Sequence, residues 1–515
     1  MPLTLRSRAN DVSSKMLGGI ERVGNKLPHP FILFVYLALL VIVASGVTSL
    51  FDVTVENPES GETEPVRSLL TGDGLVYMLT SALDNFVQFP PLGLVVVMML
   101  GIGLAQQVGL IESAVKRVIL AAPPRLVTAA VVLTGICGNL ASDAAFIVIP
   151  PLAALVFRAV GRHPLAGLAA GFTAAGAGFS ANFFVAGTDV LLSGISTEAA
   201  GIVDSGAEVS PVANWYFMVA SVVVLTLIGV FVTEKIVEPR LGTYRAEDEE
   251  DDDAAALERS QVTPEQRRGL RNALLAIGAY LLLVVACVVP SSSPLRGEGG
   301  SLVESPLLDG IVPLLFLLFV VGAVAYGVTV NALRSSGDVP RYMAEAAKNL
   351  GGFLVLIFAA AQAIAYFEWS RLGLWVAVNG AELMESLDVS GVGGLVGFSL
   401  ITLVLSLLIA SGSGLWAIEA PIFVPMFMLQ DVNPAYVQLA YRIADSSTNC
   451  IVPLSPYVAI MLGFIQQYDR RAGLGTLFAL VLPYTVAFYV GWMLLFVAWL
   501  LLGIPIGPGE ALHLS

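Results

Sequence analysis

Glu419, Arg442 and Asp445 stand inside a stretch from Ser411 to Leu462 whose flanks are apolar enough for a membrane. An ionised group at membrane depth costs about 2.5–3.5 kcal/mol or more, so such groups face a cavity or a partner. Arg442 and Asp445 are three apart, so on a helix they share one face and can pair. The planar guanidinium fork also suits the carboxylate of an anionic solute. Beyond them, Asn449, Pro453 and Pro456 break the helical ladder and free backbone carbonyls. Before them, Ser411-Gly412-Ser413-Gly414 can turn sharply without side-chain bulk. A turn, a charged helix and a broken helix packed together describe a solute site in a transporter.

Other residues extend this chemistry. Asp189 lies in an apolar, Gly-rich setting, VAGTDVLLSG. It either caps the helix that follows the Gly break or carries a coupling ion or proton. Asn139, Asn182 and Asn449, with Ser142 and Thr448, offer oxygens beside unwound backbone, as a Na⁺ site needs; the same groups also cap broken helices. Trp416 either stacks on an aromatic substrate or fills the packing of its turn. Ser413 either donates a hydrogen bond to a ligand or satisfies the turn. Asp143 reads as an N-cap, and Glu368 and Glu419 have no evident role.

Enzyme signatures are missing. There is no phosphate-binding GxxxxGK[ST] loop and no HExxH, and the GSG of the turn lacks the strand–elbow context of a hydrolase. Three histidines, His29, His163 and His513, make a metal centre implausible. Cys137, Cys287 and Cys450 have no ligand spacing and no disulfide pattern.

The composition sets the class. Of 515 residues, 56% are hydrophobic and 13% charged, and the mean hydropathy is +0.82. A soluble domain could not hide so much apolar surface, so the chain reads as an all-α polytopic membrane protein. The net charge of −14 owes much to one acidic run, residues 247–253, which reads as a solvated loop. Nucleic acid is not an expected partner.

Along the chain, apolar segments at 31–51, 74–110, 164–202, 214–237, 272–289, 311–333, 350–379, 434–466 and 476–502 read as nine transmembrane spans. Two segments, 125–160 and 395–429, consist of short arms around polar tips, and arms that short suit re-entrant hairpins. Phe89-Pro90-Pro91 should break the second span, and 164–202 and 434–466 should be broken near the midplane. The order span, broken span, hairpin, broken span, span describes residues 1–240 and again 311–502. Residues 241–271 form a linker between them, and 272–289 is an unpaired fifth span. The odd number of crossings inverts the second repeat, as in many transporters. Basic clusters at 6–26, 116–125, 158–162, 235–271, 334–348 and 470–471 then fall on one side. That side is the cytoplasm by the positive-inside rule, with the N-terminus inside and the C-terminus outside.

At four separated blocks, GNLASDAAFIVIPPLAAL, GFSANFFVAGTDVLLSG, SGSGLWAIEAPIFVPM and YRIADSSTNCIVPLSPYVAIM, the chain resembles the AbgT family of p-aminobenzoyl-glutamate transporters. The resemblance spans nearly its whole length. It implies a homodimer in the bacterial inner membrane, with an inner dimerising core and an outer transport core. It also implies ion-coupled movement of p-aminobenzoyl-glutamate, or efflux of sulfonamide antimetabolites. The family's functional positions fall on Asp189, Ser413, Trp416, Arg442, Asp445 and Pro453. The residues themselves fit such a solute, since Trp416 offers a face to a p-aminophenyl ring and Arg442 a fork to a carboxylate. A Na⁺-coupled dicarboxylate carrier of related hairpin architecture, or a solute channel, is the competing expectation.

Overall fold

The computed structural model describes residues 28–56, 61–141, 144–242, 244, 261–303, 305–387, 391–452, 455–470 and 472–514. Ser142, Asp143, Pro453, the basic N-terminal residues 6–26 and the acidic run 247–253 lie outside them.

Seven described helices are long and apolar enough to cross a membrane: α1 (Pro30–Ser49), α4 (Pro90–Gln107), α10 (Trp215–Val232, continued through a π-turn to Leu241), α11 (Pro264–Val288), α12 (Ile311–Thr329), α14 (Gly351–Trp369) and α20 (Leu474–Leu501). Helices satisfy their backbone groups internally, which hydrocarbon demands. Several open on proline at the first or second position, where the missing N–H is no loss, and Thr263 and Gln266 form a capping box at the start of α11.

Two other expected spans are each split. Segment 164–202 gives α8 (Pro164–Ala177) and α9 (Gly187–Ala200), with non-helical backbone between. Segment 434–466 gives α18 (Pro434–Thr448) and α19 (Pro456–Tyr468). Both hairpins form as helix pairs, α6 (Val127–Ile136) with α7 (Ala144–Ala159), and α16 (Gly391–Ser406) with α17 (Gly412–Met428). Each is entered through a sharply bent element. The bend is 113° between α5 (Leu110–Leu120) and the first hairpin, and 114° between α15 (Leu372–Ser386) and the second. The element order of the two repeats therefore matches down to the approach to each hairpin.

The repeats are interlocked. The first span of each packs on the broken second span of the other, α1 on α14 and α12 on α4. Helix α9 packs on α17 of the second hairpin, and α10 on α20. One large hydrophobic core surrounds the hairpins and split helices, with Phe157, Phe172, Trp416, Phe427 and Trp492 fully enclosed. Smaller separate clusters tie α4 to α11 and α12.

Three details differ from the sequence expectation. Segment 350–379 is not one span. Arg371 adopts a left-handed conformation (φ 63°) and ends α14, while its guanidinium is held by Glu64 at 2.5 Å and the Pro65 carbonyl at 3.0 Å. Those partners belong to a two-stranded antiparallel hairpin, β1 (Thr54–Glu56) and β2 (Thr63–Pro65). Helix α11 begins at Pro264, so the second part of the 241–271 linker is helical. Helix α2 (Gly72–Thr80) and helix α3 (Ala82–Val87) precede the expected break at Pro90, and α13 (Asp338–Lys348) precedes α14 in the same way.

Candidate functional site

The two helix breaks face each other. The Ser180 N–H, in the break between α8 and α9, donates to Ser446 Oγ on α18 at 3.1 Å. From the other break, Asn449 Nδ2 lies 3.5 Å from the Gly176 carbonyl, and Cys450 Sγ lies 3.4 Å from the Phe172 carbonyl. Residues that unwind in one repeat are thus satisfied by the other, as buried backbone groups require.

The tip of the second hairpin closes on this junction. Ser411 Oγ accepts from the Gly414 N–H at 3.2 Å and caps α17. The Tyr441 hydroxyl donates to the Gly412 carbonyl. A Cβ on Gly412 would sit 2.7 Å from Asp445 Oδ2, so this turn can approach the carboxylate only as glycine. The N-terminus of α17, with its positive end, therefore lies against Asp445.

Arg442 does not pair with Asp445, contrary to the expectation from their spacing. Its Nη2 lies 2.5 Å from Asp189 Oδ1 and 2.9 Å from the Ser180 carbonyl, and its Nη1 is 3.4 Å from Asn214 Oδ1. Both members of the pair are buried, 1% and 8% exposed. The guanidinium points across to the first repeat because the break before α9 leaves a carbonyl and a carboxylate there. Asp189 also caps α9, its Oδ2 accepting from the Ala186 N–H at 2.6 Å. The capping reading of Asp189 is thus realised by one oxygen, while the other pairs with Arg442.

A cavity of about 310 Å³ opens between the breaks and the hairpin tip. Asp445, Asn449, Ser413 and Ser180 line it, and Phe146 and Tyr457 stack as one wall, ring centroids 4.3 Å apart and 7° from parallel. Arg442 stands one layer behind Ser180. Trp416 is not on the wall. It is fully enclosed, its indole N–H directed at Ser196 Oγ (3.1 Å) and the Leu192 carbonyl (3.3 Å), its ring 4.6 Å from that of Tyr441. Of its two sequence readings, packing is the one realised in this conformation. Asn139 donates to the Phe179 carbonyl at 2.5 Å. Its Oδ1, both polar atoms of Asn182 and the Thr188 hydroxyl are buried without hydrogen-bond partners among the described residues. Glu419 accepts from Thr402 at 2.7 Å through Oε2, and its Oε1 is unpartnered among the same residues.

The sequence reading missed Phe146 and Tyr457. Phe146 is the third residue of hairpin helix α7 and Tyr457 the second of half-helix α19, and a place at a helix start is the one signal that could have marked them. It also missed Asn214, Gln438 and Ser196, ordinary polar residues in apolar segments.

Residues 15–514 match the family described as "AbgT putative transporter family". The chain is 43% identical over 504 residues to the p-aminobenzoyl-glutamate transport protein of Escherichia coli K12, covering 98% of each. Two solved structures share its fold. One is the YdaH transporter of Alcanivorax borkumensis, described as having an unusual topology, at 38% identity and TM-score 0.87, over 93% of this chain and 100% of that one. The other is MtrF of Neisseria gonorrhoeae, described as illuminating a class of antimetabolite efflux pumps, at 41% identity and TM-score 0.91, over 96% and 100%. With matched blocks, paired hairpins and facing helix breaks all in place, the chain belongs to the AbgT family of membrane transporters and is not an enzyme.

Proposed function

We propose that this chain is a secondary active transporter of p-aminobenzoyl-glutamate or related p-aminophenyl folate-pathway compounds, sulfonamide antimetabolites among them, driven by an H⁺ or Na⁺ gradient across the bacterial inner membrane. The observation that carries this reading is the cavity between the helix breaks. It is lined by a stacked aromatic pair, Phe146 and Tyr457, and by Ser413 of the polar tip, with Arg442 behind Ser180. Its volume is at the small end of the roughly 300–1,000 Å³ of ligand pockets.

The chemistry follows from the Arg442–Asp189 pair. A p-aminophenyl ring rests against the aromatic wall. A substrate carboxylate needs the guanidinium, which Asp189 holds. A proton or cation that neutralises Asp189 releases Arg442 to the substrate, so ion binding and substrate binding favour each other. The buried oxygens of Asn139, Asn182 and Thr188, unpartnered among the described residues, are of the kind Na⁺ takes, and Thr188 and Asn449 line the cavity. A dicarboxylate carrier would use the same arginine but has no use for the stacked wall. The long exposed apolar faces of α1 and α11 suit the bilayer or a second copy of the chain, as the family's dimer requires.

The test is flux of p-aminobenzoyl-glutamate into and out of proteoliposomes, with Na⁺ and H⁺ gradients imposed separately. Saturable, gradient-driven movement is expected. No movement under either gradient, with a plain dicarboxylate carried instead, would overturn the substrate.

A further inference from the structure

The geometry points to Asn214 and Gln438 as positioning residues that hold the Arg442 guanidinium in place and tie it to Trp416 on the second hairpin. The inference rests on the transport reading above and deepens it.

A continuous chain of side-chain hydrogen bonds runs between the two. The Trp416 indole N–H is directed at Ser196 Oγ at 3.1 Å. The Ser196 hydroxyl donates to Gln438 Oε1 at 2.7 Å. Gln438 Nε2 donates to Asn214 Oδ1 at 2.8 Å, and the same oxygen takes Arg442 Nη1 at 3.4 Å. Asn214 Nδ2 donates to the Ala435 carbonyl at 2.9 Å, which fixes the amide's orientation. Ser196, Asn214 and Gln438 are no more than 2% exposed, and none lines the cavity. The Ser196 hydroxyl can also turn to the Leu192 carbonyl at 2.9 Å, but the link between the amides has one sense, since reversing Gln438 would set its Oε1 against Asn214 Oδ1.

The placement gives this chain its task. Gln438 and Arg442 are four apart on α18, and Asp189 and Ser196 are seven apart on α9, so both pairs share a face. Helices α9 and α18 are therefore joined by two rungs, Asp189–Arg442 and Ser196–Gln438. When Asp189 lets go, the second rung and Asn214 keep the guanidinium beside the Ser180 carbonyl, where a substrate carboxylate can reach it. Trp416 lies one turn past Ser413, so the same rung reports to the hairpin tip on the cavity wall. Gln438 and Asn214 touch neither cavity nor solute and act through Arg442.

Two measurements test this on the full-length protein with Gln438→Leu and Asn214→Ala. In proteoliposomes each variant should raise KM for p-aminobenzoyl-glutamate roughly three- to tenfold, the worth of one or two buried hydrogen bonds. The maximal rate and the KM for a sulfonamide without a carboxylate should change less. Separately, the melting temperature of purified protein is followed through a double-mutant cycle of Gln438→Leu with Asp189→Asn. The two changes should be non-additive, because both act on Arg442. Additive melting shifts with an unchanged KM, or equal weakening of both ligands, would overturn the assignment. The cycle uses no substrate. If wild type carries no p-aminobenzoyl-glutamate but the cycle is coupled, the transport reading fails and the positioning role stands. Should Gln438→Leu not reach the membrane, Asn214→Ala takes its place in the cycle and decides by the same criterion.

Discussion

Arg442 and Asp189, 253 residues apart in the chain, meet at 2.5 Å in the buried heart of the protein. The contact joins the two repeats directly, and it leaves Asp445, three residues from Arg442, on the cavity wall with no cationic partner among the described residues. The two aspartates thus divide the labour, one holding the arginine and the other facing the cavity.

Asp189→Asn should abolish gradient-driven accumulation. The amide cannot exchange a proton or neutralise a cation, while Arg442 keeps Ser180 and Asn214 as partners, so the protein should still fold. Arg442→Lys should lose about 1.5–3 kcal/mol of p-aminobenzoyl-glutamate binding, the usual worth of a hydrogen bond to a charged group. Arg442→Ala should also destabilise the fold by about 3–5 kcal/mol, because it strands Asp189 as a buried charge. Equilibrium binding and thermal unfolding of the purified variants check both. Unchanged affinity in the lysine variant would place the carboxylate elsewhere.

Asp445→Asn should separate binding from driving. With the α17 N-terminus against it and no cation to hold it, Asp445 is free to take part in ion movement. The variant should still exchange labelled for unlabelled substrate across the membrane, yet fail to accumulate it under either imposed gradient. Full accumulation in the variant would assign ion coupling to Asp189 alone.

The aromatic wall and the buried indole should behave differently. Phe146→Leu and Tyr457→Leu should weaken p-aminobenzoyl-glutamate and a sulfonamide together, by about 0.5–1.5 kcal/mol, the worth of an aromatic pair beyond burial. Trp416→Ala should act first on the fold, at about 3–5 kcal/mol for emptying a large core site. Titration calorimetry and thermal melts on the same preparations distinguish the two. A tryptophan variant with wild-type stability and lost affinity would put the indole in contact with substrate.

Glu510, in the segment after α20, accepts from Asn433 Nδ2 at 2.9 Å at the foot of α18. Burial pushes its carboxyl from the ordinary 4.5 up to about 7, against the opposing pull of Asn433. A folded-state value above the unfolded one gives stability that is complete below the unfolded value and is lost as pH rises through the folded one. The melting temperature should therefore fall between pH 4.5 and about 7, and Glu510→Gln should flatten that window. An identical slope in the variant would assign the drop to another group.

Cysteines introduced at Arg267→Cys and Leu514→Cys should label from opposite faces of the membrane, the first from the cytoplasm. Labelling of both from one face would contradict the count of nine crossings.

Much of the architecture was legible because hydrocarbon leaves few choices. Long apolar runs must be helices, and Gly, Pro and Asn clusters inside them must be breaks. That logic placed both split helices and both hairpins. It could not see that Arg371 ends α14, because the reason is a tertiary bond to Glu64 some three hundred residues earlier. The site was legible in its residue types and less so in its pairings. Spacing along one helix suggested Arg442 with Asp445, yet the two breaks bring Asp189 closer. Ser413, Asp445 and Asn449 reached the cavity as expected, whereas Trp416 turned away to meet Ser196. Phe146 and Tyr457 looked like any residues of an apolar helix, because their stacking exists only once two repeats are assembled.

The exchange of partners between repeats, α1 on α14 and α12 on α4, bears on how such a chain can be made. Helix α1 leaves the ribosome long before α14 exists. At roughly 5–20 residues per second the interval is on the order of tens of seconds. During that time the early helices have only one another and lipid as neighbours, and Asp189 is in the membrane before its arginine is translated. Assembly must therefore be late and collective. Two separately synthesised halves, cut within the acidic run 247–253, carry all the complementary surfaces needed to find each other within one membrane.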